Sequence, residues 1–202
     1  MKKRSLAVCL LVVMMIICVA GCSSKPGEKA SDDPKIEMRT IKYTGLRKPI
    51  VSIDVPVEGS YEEIDEDSKL TIRSGEIDLI IGLENQQKYV NGSSVGCTFE
   101  EMVSYRTAAN QLDVFSEVTY AGMTGTQQHR NTNLILLFPL SAELQMYPDF
   151  LRILEVQVAY NVRDENNMLM ADQFATANEA VTKFMESAEG KAILNSIKLT
   201  AE

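Results

Sequence analysis

Few residues of this chain stand at spacings that chemistry could use. Gly92-Ser93-Ser94-Val95-Gly96 fits the pattern G-x-S-x-G, in which a serine rides a sharp strand-to-helix turn with its hydroxyl bared for acyl transfer. Asp113 and His129 follow in the order serine, acid, histidine. The spacing works against a triad. The next helix signal begins at Thr98, four residues past Ser94, where such a turn needs it at once. The thirty-five residues from Ser94 to His129 are too few for the intervening strand–helix units. Ser94 therefore belongs only to a small-hydrolase alternative, and no catalytic residue is assigned. Asp65, Asp67 and Glu76 copy positions one, three and twelve of a calcium loop. Lys69 and Leu70 occupy positions five and six, where an oxygen ligand and a glycine belong, so the loop is rejected. Glu62, Glu63, Asp65, Glu66 and Asp67 read instead as a solvated acidic edge, where charge discourages strand addition.

The chain has a single histidine, which rules out a multi-histidine metal site and leaves His129 as a surface residue. Gly122-Met123-Thr124-Gly125 lacks the lysine and the helix of a phosphate loop. No metal and no cofactor are expected. The 202 residues carry 20 Lys and Arg against 28 Asp and Glu, a net charge of −8 that suits no nucleic-acid partner. An apolar fraction of 45% excludes a disordered chain. The methionines, Met168 and Met170 less clearly than the others, read as core filler. Tyr147-Pro148-Asp149-Phe150 could offer an aromatic patch to a partner or pack beneath its loop.

The cysteines carry the most specific signal. Lys2, Lys3 and Arg4 precede fifteen uncharged residues, Leu6–Ala20, followed by Gly21 and Cys22. The run has the length of a secretory core and falls short of the roughly 20 residues that span a bilayer. Val19-Ala20-Gly21-Cys22, with Ser23-Ser24 after it, resembles the lipobox of bacterial lipoproteins. The resemblance implies cleavage between Gly21 and Cys22 and a diacylglyceryl thioether on the Cys22 sulfur, since only a thiolate is nucleophilic enough to take the lipid. Residues 1–21 are then a helical signal peptide that is removed, and the mature chain is lipid-anchored on the extracytoplasmic side of the cell membrane. Cys9 and Cys18 leave with the signal and Cys22 is blocked. Cys97 remains alone, so no intramolecular disulfide can form. A helix start beside Cys97 could activate its thiol; an inert, buried thiol is the expectation.

Residues 22–35 are the lipidated terminus and a flexible tether, rich in Pro, Gly, Ser and charge. The domain follows, over 36–202. Period-2 alternation predicts strands at Ile36–Tyr43, Val51–Val57, Leu70–Ile72 and Ile77–Leu83. Asn85–Gly96 reads as a polar loop with a turn at Asn91-Gly92. Thr98 and Glu101 form a capping box for a helix to about Ala109 whose apolar face is Phe99, Met102 and Val103. Val114–Tyr120 is a strand, Gly122–Gly125 a turn, and Gln127–Phe138 one partner strand, central where Leu134–Phe138 is apolar on both faces. Leu154–Val162 is the clearest strand, with a turn at Arg163–Asn167. Phe174–Ala188 has helical spacing, with Gly190 as C-cap or as a break before another helical turn, and Ile197 and Leu199 close the chain as a short strand.

This order predicts a single α+β domain, a largely antiparallel sheet with two main helices packed on it. The Thr98–Ala109 helix after a hairpin, the Leu154–Val162 strand and a last helix closing on Asn195-Ser196-Ile197-Lys198 resemble PsbP-like domains over most of Val51–Leu199. No motif there transfers a functional residue, and the chain departs from the pattern in lacking tryptophan and in its Ser141–Phe150 insert. The expected function is a non-catalytic binding or assembly domain, held at the membrane by its lipid and meeting a protein partner at the cell surface. The alternative is a solute-binding component of a membrane transporter.

Overall fold

Alternating sequence becomes strand where one face finds a core, and β2 shows the rule plainly. Val51, Ile53 and Val55 are fully buried while Ser52 and Asp54 between them are half-exposed. The computed structural model describes residues 36–44, 50–57, 61–66, 69–130, 132–145, 149–162 and 171–201, with the backbone alone for 61–66 and 171. Gly21, Cys22, the tether, the turn at 163–167, Met168, Met170, Tyr147 and Pro148 lie outside them. Residues 36–202 form one unit.

The strands are β1 (Met38–Tyr43), β2 (Ile50–Pro56), β3 (Tyr61–Glu66), β4 (Lys69–Ser74), β5 (Ile77–Gln86), β6 (Lys88–Val90), β7 (Ser93–Val95), β8 (Val114–Tyr120), β9 (Met123–Arg130), β10 (Asn133–Pro139), β11 (Leu151–Tyr160) and β12 (Lys198–Thr200). The helices are α1 (Phe99–Ala109), α2 (Phe174–Glu186) and α3 (Ala188–Asn195). Seven strands make the main sheet in the order β3-β4-β5-β11-β10-β9-β8. Three make a second in the order β1-β2-β12, and β6 with β7 forms a separate hairpin. Every neighbouring pair is antiparallel. The result is a mixed α/β domain of mostly antiparallel sheet, with three α-helices among the described residues.

The central strands bury both faces. Leu134, Leu136 and Phe138 of β10 join β2, β5, β11 and residues of α2 and α3 in the main core. Ile135 and Leu137, pointing the other way, meet Ile153 and Met102 of α1 in a second, smaller core. Phe99 and Val103 pack at its margin, so the apolar face expected for α1 is the one it buries. α2 lies on β11, β10 and β5, and α3 lies on β2. Ser196 ties the end of α3 to β2: its Oγ accepts from the Asp54 amide at 2.8 Å and donates to the Ile193 carbonyl at 2.6 Å.

Four expectations are corrected. Gln127–Phe138 is two strands, β9 and β10, because the chain reverses after Arg130, where Arg130 pairs with Asn133. The turn expected at Gly122–Gly125 sits at Ala121-Gly122, both with positive φ (52° and 76°). Gly125 lies inside β9, where a Cβ would meet the Leu137 carbonyl and the Phe138 ring. The loop Asn85–Gly96 is largely strand: β5 runs on to Gln86, and β6 and β7 flank the expected turn at Asn91-Gly92. The last helix breaks at Ser187, whose Oγ caps α3 by accepting from the Gly190 amide at 2.9 Å. Gly190 is therefore in the first turn of α3, not a C-cap, and among the described residues three helices stand where two main ones were expected.

Candidate functional site

The capping box is a local sequence effect. Thr98 Oγ1 accepts from the Glu101 amide at 3.2 Å, and Glu101 Oε2 accepts from the Thr98 amide at 3.0 Å. Its other oxygen, Oε1, takes Lys88 Nζ of β6 at 2.6 Å. One carboxylate thus starts α1 and fastens the β6–β7 hairpin beside it. Lys88, and then the Thr98 amide, hold the Glu101 carboxyl below the usual carboxylate range. Glu100 is also held low, by its own amide and then by Thr98.

Between the hairpin and α1 runs a groove of about 740 Å³. That is within the range of small-ligand sites, about 300–1,000 Å³. Met102 and Cys97 line it with the Lys88–Glu101 pair, and Tyr89 and Tyr105 stand on its two sides. Tyr89 is 79% exposed and Tyr105 74%. A shallower hollow of about 440 Å³ adjoins it, sharing Cys97 and Glu101 and bounded by Gln145 and Phe150. Gln145 braces that end: its Nε2 donates to the Arg152 carbonyl at 2.8 Å and its Oε1 accepts from the Arg152 amide at 2.8 Å. Below α1, Arg106 Nη2 meets Glu155 Oε2 of β11 at 3.1 Å, with both side chains about four-fifths covered.

The groove offers aromatic faces, a thiol and one anchored ion pair. Cys97 is half-buried and unbridged. Burial chiefly, and Glu101 next, push its thiol pKa up; Lys88 opposes them. At neutral pH it is a thiol rather than a nucleophilic thiolate, but the full burial expected for it is not met, since Cys97 is half-buried and lines the groove.

The residues of the G-x-S-x-G alternative are not brought together. Ser94 lies on β7 opposite Tyr89, within a hairpin rather than at a strand-to-helix turn. Asp113 Oδ2 accepts from Gln128 Nε2 at 2.6 Å and from Arg130 Nε at 3.0 Å. His129 points to the other face of β9 from those two partners, beside Val114 and Leu134. Among the described residues no hydrogen bond joins Ser94, Asp113 and His129 to one another. The backbone puts Asp65 in strand β3, paired with Leu70 at the start of β4, and Glu76 in the β4–β5 turn at the other end of β4, so the two are held apart. Among the described residues no cluster of three His, Cys, Asp or Glu could hold a metal ion, and no helix is long and apolar enough to cross a membrane. Phe150 of the aromatic patch edges the shallow hollow, 37% exposed.

Tyr89, Tyr105, Lys88 and the Arg106–Glu155 pair were not singled out by the sequence reading. One signal could have found Tyr105. On a helix whose inward face is Phe99, Met102, Val103 and Arg106, position 105 points outward, and a large aromatic there buries nothing. Protein-family models, curated proteins and solved structures yield no match to this chain.

Proposed function

We propose that this chain is a bacterial lipoprotein, anchored through lipid on Cys22 after cleavage behind Gly21, whose 36–202 domain binds or assembles with a protein at the extracytoplasmic surface. The anchor rests on the lipobox Val19-Ala20-Gly21-Cys22. The binding role rests chiefly on one observation: the groove between α1 and the β6–β7 hairpin is open and flanked by two exposed tyrosines. Tyrosine is rigid and amphipathic, and it is enriched where proteins meet. By contrast, the acids that could do chemistry serve the fold: Glu101 caps α1 and Asp113 holds Gln128 and Arg130. The domain is non-catalytic in this reading. The antiparallel main sheet covered by helices is compatible with a PsbP-like sandwich. The test is photo-crosslinking from Tyr89 and Tyr105 in intact cells. With the probe at one of the two tyrosines, a specific protein adduct that is lost when the other is changed to alanine is expected; adducts to lipid alone contradict the reading.

A second reading is favoured by the size of the groove. At about 740 Å³ it would admit a small solute, as in a ligand-binding component of a transporter. A metabolite that raises the melting temperature of the native domain, but not of the double tyrosine variant, would establish this reading in place of the first.

A further inference from the structure

The two ends of the main sheet are treated differently. β3 closes one end with four carboxylic residues in six, Tyr61-Glu62-Glu63-Ile64-Asp65-Glu66. Charge of that density keeps other strands away from an edge. β8 closes the other end as Val114-Phe115-Ser116-Glu117-Val118-Thr119-Tyr120, rich in β-branched and aromatic residues, without proline and with one charge. The remaining edges are short or basic: β6, β7 and β12 have three residues each, and β1 carries Arg39 and Lys42.

Which groups of β8 face outward follows from its hairpin. Ala121-Gly122 is a two-residue turn with positive φ at both positions, and Tyr120 pairs with Met123 across it. Such a turn closes on a pair that exchanges both main-chain hydrogen bonds. Tyr120, Val118 and Ser116 therefore spend their N–H and C=O groups on β9. Phe115, Glu117 and Thr119 aim theirs outward. Glu117, at the middle, is exposed, its cross-strand neighbour is the neutral Thr126, and among the described residues it has no cationic partner. Apolar surface continues at the head of the strand, where Val114 is 65% and Leu112 95% exposed.

We infer that β8 is a strand-addition edge that takes an extended, antiparallel segment of a second protein carrying Lys or Arg opposite Glu117. Three outward residues supply up to six main-chain hydrogen bonds, and the central carboxylate selects a basic residue and sets the register. A second copy of this chain fits less well. Pairing β8 with itself through all three outward residues puts Glu117 opposite Glu117, between molecules that each carry a large acid excess. The inference rests on the reading of the domain as a binding module, and it uses a surface separate from the tyrosine groove.

The probe is a blocked seven-residue peptide of alternating Thr and Val with Lys at its centre, added to the full mature chain and followed by residue-resolved amide hydrogen exchange. Slowed exchange is expected at Phe115, Glu117 and Thr119, with little change at Ser116 and Val118, already bonded to β9. Glu117→Lys should weaken binding of this peptide about fivefold or more and favour the same peptide with a central Glu. Glu117→Pro, which removes an outward N–H that β9 does not use, should abolish the protection; if that variant does not fold, the charge reversal alone decides. No protection at the three amides at millimolar peptide overturns the inference. Protection of them that grows with protein concentration in the absence of peptide overturns the chosen partner in favour of a second copy. Protection confined to the residues around Tyr89 and Tyr105 overturns the edge while leaving the binding reading standing. The crosslinking from the two tyrosines fails or succeeds independently of all three.

Discussion

Glu101 does three jobs with one carboxylate: it caps α1, holds Lys88 and raises the thiol beside it. Each job has a measurable consequence. Thr98→Ala removes the reciprocal cap and should cost about 1 kcal/mol, a fall in melting temperature of roughly 2–4 °C. Because Glu101 titrates lower in the folded chain than in the unfolded one, its stabilisation is complete above the ordinary carboxylate value of about 4.3 and fades as pH falls through the folded value. Thermal melts from pH 7 to pH 3 should therefore show a shallower acid loss in Glu101→Gln than in the native chain; parallel curves would contradict this. Cys97 should alkylate with iodoacetamide more slowly than a free thiol at pH 7, and Lys88→Ala should slow it further, since Lys88 is the group favouring the thiolate. At this scale the sequence was readable where a rule is local. Thr98 and Glu101 stand three apart and bond as that spacing requires. Tyr89 and Tyr105 were not readable, since only the docking of the hairpin beside α1 makes them two sides of a groove.

Among the elements, the strands buried on both faces were the most legible. Leu134–Phe138 is apolar throughout because its even residues enter the main core and its odd residues meet α1. Boundaries failed where a glycine served a different purpose from the one its type suggests. Gly125 reads as a turn residue, yet it is a mid-strand site where β10 leaves no room for a Cβ. Gly125→Ala should cost about 3 kcal/mol, the upper end of the overpacking range. Gly75→Ala, at a turn with φ of +56° and open space around it, should cost about 1 kcal/mol through the backbone alone. Urea titrations of the two variants decide the order; a milder effect at Gly125 would mean that β9 and β10 can part. Gly190 misleads in the same way: Ser187 breaks the helix, and the glycine is there because a Cβ would strike the Phe184 carbonyl.

For the whole molecule, the acid excess bears directly on the proposed leader and anchor. Loss of residues 1–21 removes Lys2, Lys3 and Arg4 and no acid, taking the net charge from −8 to −11. A domain of that charge would be repelled by an anionic bilayer, so in the proposed lipoprotein the attachment falls to the lipid on Cys22, and a doubly acylated terminus is a durable anchor where one chain would be marginal. The mature chain carrying Cys22→Ser, freed of its leader, should stay in solution in the presence of anionic vesicles; binding that rises with anionic lipid would contradict the account. The most direct test of the central claim is the intact mass of the protein purified from cell membranes, with fragmentation of its first residues. A chain that begins at Cys22 with diacylglyceryl on the sulfur is expected, and with it a Cys22→Ser variant that leaves the detergent phase. An unmodified cysteine, a different first residue, or a serine variant that still partitions into detergent would contradict it.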